Sequence, residues 1–141
     1  MLVRLLYASR VQQEPLCEVI QNILHTAREH NPDHGITGIL CHSDRVFMQV
    51  LEGGRDAINH LYGKILRDPR HSDVTLLHYE EISERRYAGW TMGQANLCKI
   101  NPSILLKYSA LPELNPHCMS GKMSLALIEE LIATAAIIGR T

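Results

Sequence analysis

Aromatic residues are scarce in this chain, at 5%: one Trp, one Phe and five Tyr. A core of ordinary density must therefore be built from aliphatic side chains, and each aromatic position carries more information than usual. Basic charge is not in excess. The 14 Lys and Arg face 15 Asp and Glu, giving a net charge of -1. That balance excludes the electropositive footprint of a nucleic-acid binder, and Arg85-Arg86 is a local pair rather than a patch. No apolar run reaches the roughly 20 residues a membrane span requires. No secretory leader is read at the start, because Met1-Leu2-Val3-Arg4 runs straight into a strand-like segment. The four cysteines, Cys17, Cys41, Cys98 and Cys118, form no C-x-x-C pair. Free thiols and a cytoplasmic location are the expectation. Zinc is excluded on the same ground. His30 and His34 are four residues apart, but Pro32 between them breaks any shared helical face.

What is present is a regular alternation of elements. Leu2 to Ser9 reads as a strand. Glu14-Pro15 opens a helix whose apolar face is Leu16, Ile20, Ile23, Leu24 and Ala27, and Asn31-Pro32 ends it. Gly35 to His42 and Arg45 to Glu52 form a hairpin around Ser43-Asp44. A second helix carries Ile58, Leu61, Tyr62, Ile65 and Leu66 on its apolar side and stops at Asp68-Pro69. Val74 to Ile82 is a fourth strand, and Trp90 to Leu97 is expected to be a fifth. The fold class is α+β, a ferredoxin-like βαββαβ unit extended by one strand, with both helices on one face. Pro102, Pro112 and Pro116 punctuate the C-terminal region. A last helix is expected from about Met123 to Ile138; its few polar positions require burial on the open face of the sheet or against a partner subunit. No second domain is read. Residues 1–97 form the core unit and 98–141 a helical extension of it.

Chemistry concentrates at few positions. Gln49 is the single polar residue in Val46-Phe47-Met48-Gln49-Val50-Leu51 and shares a strand face with Phe47 and Leu51. A buried amide must pair two donors and two acceptor lone pairs. Gln49 therefore reads either as a structural core amide or as one held to contact a bound polar group and Tyr7. Asn31 reads either as helix-end loop chemistry or as a donor and acceptor pair matching the edge of an imide ring. Gly35 and Gly38 mark either a bulge or the close approach of a backbone or ligand. Arg67, Arg70 and His71 are either solvated or donors to a diphosphate. Trp90 and Met92 are expected on one strand face, packing the core.

These strings together resemble the BLUF family, the blue-light sensors that use FAD, over roughly Leu2 to Leu97. Tyr7 matches the photoactive tyrosine. Asn31, four residues before Gly35-Ile36-Thr37-Gly38, matches the flavin-holding asparagine, and Gln49 before Leu51-Glu52-Gly53 the switching glutamine. Trp90 and Met92 match the mobile pair, and Asp68-Pro69-Arg70-His71 the stretch after the second helix. The resemblance implies non-covalent FAD between the two helices, held by Tyr7, Ile23, His30, Asn31, Gln49, Ile65, Asp68, Arg70, His71 and Met92. It implies a photoactive switch of Tyr7, Gln49, Trp90 and Met92. In it Tyr7 gives an electron and a proton on excitation, and the Gln49 amide is left rotated or tautomerised, with a small red shift. It implies a photoreceptor rather than an enzyme, acting on a downstream protein partner or through its own homo-oligomer. The alternatives are a flavin-dependent redox enzyme, using Cys17 or Cys41, and a cofactor-free interaction module.

Overall fold

A computed structural model describes residues 1–14 and 16–133; Pro15 and the stretch of the last expected helix beyond residue 133 lie outside the described residues. Five strands, β1 (Leu2–Val11), β2 (Thr37–His42), β3 (Val46–Gly54), β4 (His71–Ile82) and β5 (Gly93–Asn96), form one sheet in the order β4-β1-β3-β2-β5. The first four strands are antiparallel neighbours in the ferredoxin-like arrangement, and β5 joins β2 in parallel. Helices α1 (Leu16–His30) and α2 (Arg55–Leu66) cover one face. A short helix α3 (Pro102–Leu106) leads to α4 (Gly121–Ala133), which covers the other.

The central strands β1 and β3 are apolar along almost their whole length because both faces are covered. Alternation then divides their side chains between two cores. Val3, Leu5, Tyr7, Phe47 and Leu51 meet α1 and α2 through Ile20, Leu24 and Ile58. Leu6, Met48 and Val50 meet α4 through Leu127, Ile128 and Leu131. The expected apolar face of the second helix holds except at Leu66, which turns outward at its end and is 53% exposed. The hairpin forms at Ser43-Asp44, where Ser43 Oγ accepts from the Arg45 and Val46 amides.

The glycines expected to mark a bulge or a ligand have other causes. Gly35 adopts φ 67° in the turn before β2, outside the strand. Gly38 lies where a Cβ would sit 2.0 Å from the Val50 carbonyl oxygen, so a neighbouring strand and not a ligand makes the close approach.

The expected strand from Trp90 to Leu97 is shorter, beginning at Gly93. Side chains and backbone amides, not a ladder, hold the residues before it. The buried Glu52 carboxylate accepts from the Arg86 amide at 3.1 Å and the Tyr87 amide at 2.7 Å. The Gly38 amide donates to the Trp90 carbonyl at 2.9 Å. Strand alternation therefore does not govern Trp90 and Met92, and they do not share a face. Trp90 packs against the α4 core, and Met92 is fully buried in the core under α1 and α2.

Candidate functional site

Between α1 and α2 lies a cavity of about 210 Å³. Its floor is the sheet, where β1 and β3 place Tyr7 and Gln49 directly opposite each other. The β1–β4 register shifts between Leu6 and Tyr7, an irregularity of the kind that re-aims a side chain beside a site. Tyr7 Oη donates to Gln49 Oε1 at 2.6 Å, and Gln49 Nε2 donates to Met92 Sδ at 3.3 Å. Burial pushes the Tyr7 hydroxyl above its ordinary pKa, and the Asp68 charge adds to this, so the phenol stays protonated. A thioether is a weak acceptor. The amide thus has one strong partner and one soft one.

Of the residues expected to hold a cofactor, Tyr7, Ile23, Asn31, Gln49, Ile65, Asp68, Arg70 and His71 line this cavity. Met92 adjoins it through Gln49. His30 is exposed and does not line it, because its position on the last turn of α1 points the side chain outward. Trp90 lies on the other side of the sheet. Asn31 is buried, yet its amide makes no capping bond to the short turn it opens, which leaves it directed at the cavity. His71 is locked: its Nε2 lies 2.8 Å from the Ile65 carbonyl and its Nδ1 2.7 Å from Ser9 Oγ. A carbonyl can only accept, so Nε2 carries the proton and, in the neutral ring, Nδ1 accepts from the serine. The ring edge stands against Tyr7 with centroids 6.2 Å apart.

Arg70 closes the end of the cavity, its Nε 2.9 Å from Asp68 Oδ2. Burial opposes the charged form of Asp68, but hydrogen bonds and charge from Arg70 outweigh it and hold the carboxyl below its ordinary range. Arg67 stays exposed. Sequence reasoning missed the further wall residues Thr26, Ala27, Leu40, Phe47, Leu61 and Lys64. The helical ones were available from spacing, since Thr26 and Ala27 lie one turn after Ile23, and Leu61 one turn before Ile65. Apolar walls, a buried amide facing the opening, a phenol–carboxamide floor and cations at one end suit a flavin: a flat ring with a polar edge and a phosphate-bearing chain.

An apolar slot with a buried phenol–carboxamide pair at its floor has the geometry of a cofactor-binding domain. Residues 2–93 match the family model described as BLUF, sensors of blue-light using FAD, and the chain belongs to that family. It is 45% identical over 74 residues to the photoactivated adenylate cyclase subunit beta of Euglena gracilis, covering 52% of this chain and 9% of that protein. The chain thus spans about a tenth of the length of such relatives. Among solved structures, the photo-activated state of BlsA is 29% identical with a TM-score of 0.85, covering 100% of this chain and 99% of that one. The dark state of the BLUF protein BlrB is 32% identical with a TM-score of 0.78, covering 95% and 96%. The fold and the cavity of this chain are those of a domain of this family of blue-light sensors.

Proposed function

We propose that this protein binds FAD non-covalently in the cavity between α1 and α2, and that Tyr7, Gln49 and Met92 together convert light absorption into a change on the α4 side of the sheet. The bound flavin supplies absorption of blue light and one-electron chemistry. The chain supplies the rest. Asn31 meets the polar edge of the ring, and Lys64 and Arg70 stand where a diphosphate would be held. Tyr7, protonated and hydrogen-bonded to Gln49, is the oxidisable phenol, and its proton faces Gln49 Oε1. Gln49 turns its amide so that Oε1 faces Met92 Sδ in place of Nε2. Two acceptors then meet, and Met92 withdraws.

The observation that carries this reading is the buried chain of contacts from Tyr7 through Gln49 to Met92 on the cavity floor. The protein acts as a receptor rather than as an enzyme. None of the four thiols lines the cavity, and Cys41 is buried in the core on the opposite face, which speaks against the thiol chemistry a redox enzyme would have used. Free thiols accord with a cytoplasmic place. Output runs through contact with a protein partner or a second copy at the α4 side, where Arg86 of the β4–β5 connection meets Glu129 of α4. Residues 1–97 and 98–141 work as one domain, the second part reading the first.

The test is the absorption spectrum of purified protein before and after blue light, for wild type and Gln49→Leu. The expected result is flavin released by denaturation, a reversible red shift in wild type, and none in a Gln49→Leu variant that still holds flavin. A full shift in that variant would reduce Gln49 to a core amide.

A further inference from the structure

We propose that Arg28 is a positioning residue of the switch: its guanidinium fixes the main chain at Met92, and this clamp sets how long the switched state lasts. The inference rests on the role given above to Met92. Arg28 stands in the last turn of α1, immediately after Ala27 of the cavity wall. Its Nη2 donates to the Met92 carbonyl at 2.9 Å and its Nε to the same oxygen at 3.3 Å, across 64 residues of sequence.

An arginine near a helix C-terminus ordinarily complements the helix dipole or pairs with a carboxylate at the surface. Arg28 forms no ion pair among the described residues. It commits two donors to one neutral carbonyl, and that carbonyl belongs to the residue whose sulfur receives the Gln49 amide. The main chain at Met92 is thus tied to the cofactor-holding helix from one side. The strand bonds of β5 begin just beyond it, where Gly93 pairs with Ile39.

Turning the Gln49 amide sets Oε1 against Met92 Sδ, and relief requires Met92 to move. With its carbonyl held by a charged donor pair, only the side chain can give way. Releasing the carbonyl lets the backbone follow, which lowers the free energy of the switched state. The barrier for return is measured from that state, so return slows. Arg28 therefore keeps the signal short.

The experiment measures dark recovery after a blue flash in wild type, Arg28→Met, Arg28→Lys and Met92→Leu. Arg28→Met keeps the aliphatic stem and removes the donors. It is expected to form the red-shifted state and to recover about tenfold more slowly, a fraction of the worth of a charge-assisted bond. Arg28→Lys, with one compact donor, should fall between. Infrared difference spectra with carbonyl-13C methionine supply a readout that mere loss of stability would not move. The band that disappears in Met92→Leu should shift to higher frequency in Arg28→Met.

If Met92→Leu alters recovery while both Arg28 variants recover at the wild-type rate with an unshifted band, the clamp is refuted and the role of Met92 stands. If Met92→Leu also recovers normally, both fall. Should Arg28→Met fail to fold, Arg28→Lys decides, with wild-type recovery overturning the proposal.

Discussion

Replacing Glu52 by Leu should remove a large part of the stability of this domain while leaving its colour change intact. Glu52 is 0% exposed, and its carboxylate accepts from Arg4 Nε at 2.8 Å, Arg4 Nη2 at 2.7 Å and the amides of Arg86 and Tyr87. Removing one partner of a buried pair costs about 3–5 kcal/mol, because the other charge is stranded. The lower end applies, since Arg4 keeps a second bridge to Glu80 at 2.6 Å and Glu80 reaches solvent. The Tyr87 amide, buried with its residue, loses its acceptor as well. A loss of about 3 kcal/mol at this chain length corresponds to a fall in Tm of roughly 10 °C.

The assay is thermal unfolding monitored by far-ultraviolet circular dichroism and by flavin release. The double variant Arg4→Met with Glu52→Leu should regain much of the loss, because no lone charge remains. The red shift should keep its wild-type size in both, since Arg4 and Glu52 lie on the sheet face opposite the cavity. A fall in Tm below about 3 °C, or a double variant as unstable as the two single losses added, would refute the assignment of Glu52 as the buried anchor of the β4–β5 connection.

Three further outcomes are expected. Burial pushes the thiol of Cys41 and the hydroxyl of Tyr87 up to about 12, and the hydroxyl of Tyr7 higher still. The unfolded chain releases these protons from about pH 8.5 to 10. Stability is therefore fully present below that window and falls as pH rises from it toward the folded values near 12, and Cys41→Ala should flatten the decline in Tm measured from about pH 8 to 11. Asn31→Ala should weaken flavin retention about tenfold, read by gel filtration and residual absorbance; unchanged retention would make Asn31 a loop residue. Tyr7→Phe should keep fold and flavin but lose the light-induced difference spectrum, and a normal amplitude would refute its role as the oxidisable group.

Much of this architecture was legible because apolar periodicity and punctuation agree. α1 and α2 each carry a helical period, the strands are short apolar runs, and Pro, Gly, a Ser-Asp turn or polar Ser9-Arg10 bounds them. The cavity floor was legible at Gln49, a lone amide in an apolar strand. What escaped was held by contacts without a local pattern. Arg4 and Glu52 sit at strand positions where a charge reads as solvent-facing. Only the register that sets them opposite each other lets them pair, and only the β4–β5 connection lying over them keeps the pair from solvent. The stretch before β5 looks strand-like because Trp90 and Met92 are two residues apart. Bonds to Gly38, Glu52 and Arg28 override that spacing and send the two side chains to opposite sides of the sheet.

The two-sided burial of β3 bears on how such a sensor can change over time. Inserting or deleting one residue before Gln49 would carry the amide from the cofactor side to the α4 side and expose the cofactor to Met48 or Val50 instead. Length variation is thus barred from the middle of the sheet. It is open to the connections at its rim and to the stretch between β5 and α4. A lineage of such receptors can alter lifetime and recipient by exchanging side chains and remodelling that rim, while the strand that joins the two remains the same length.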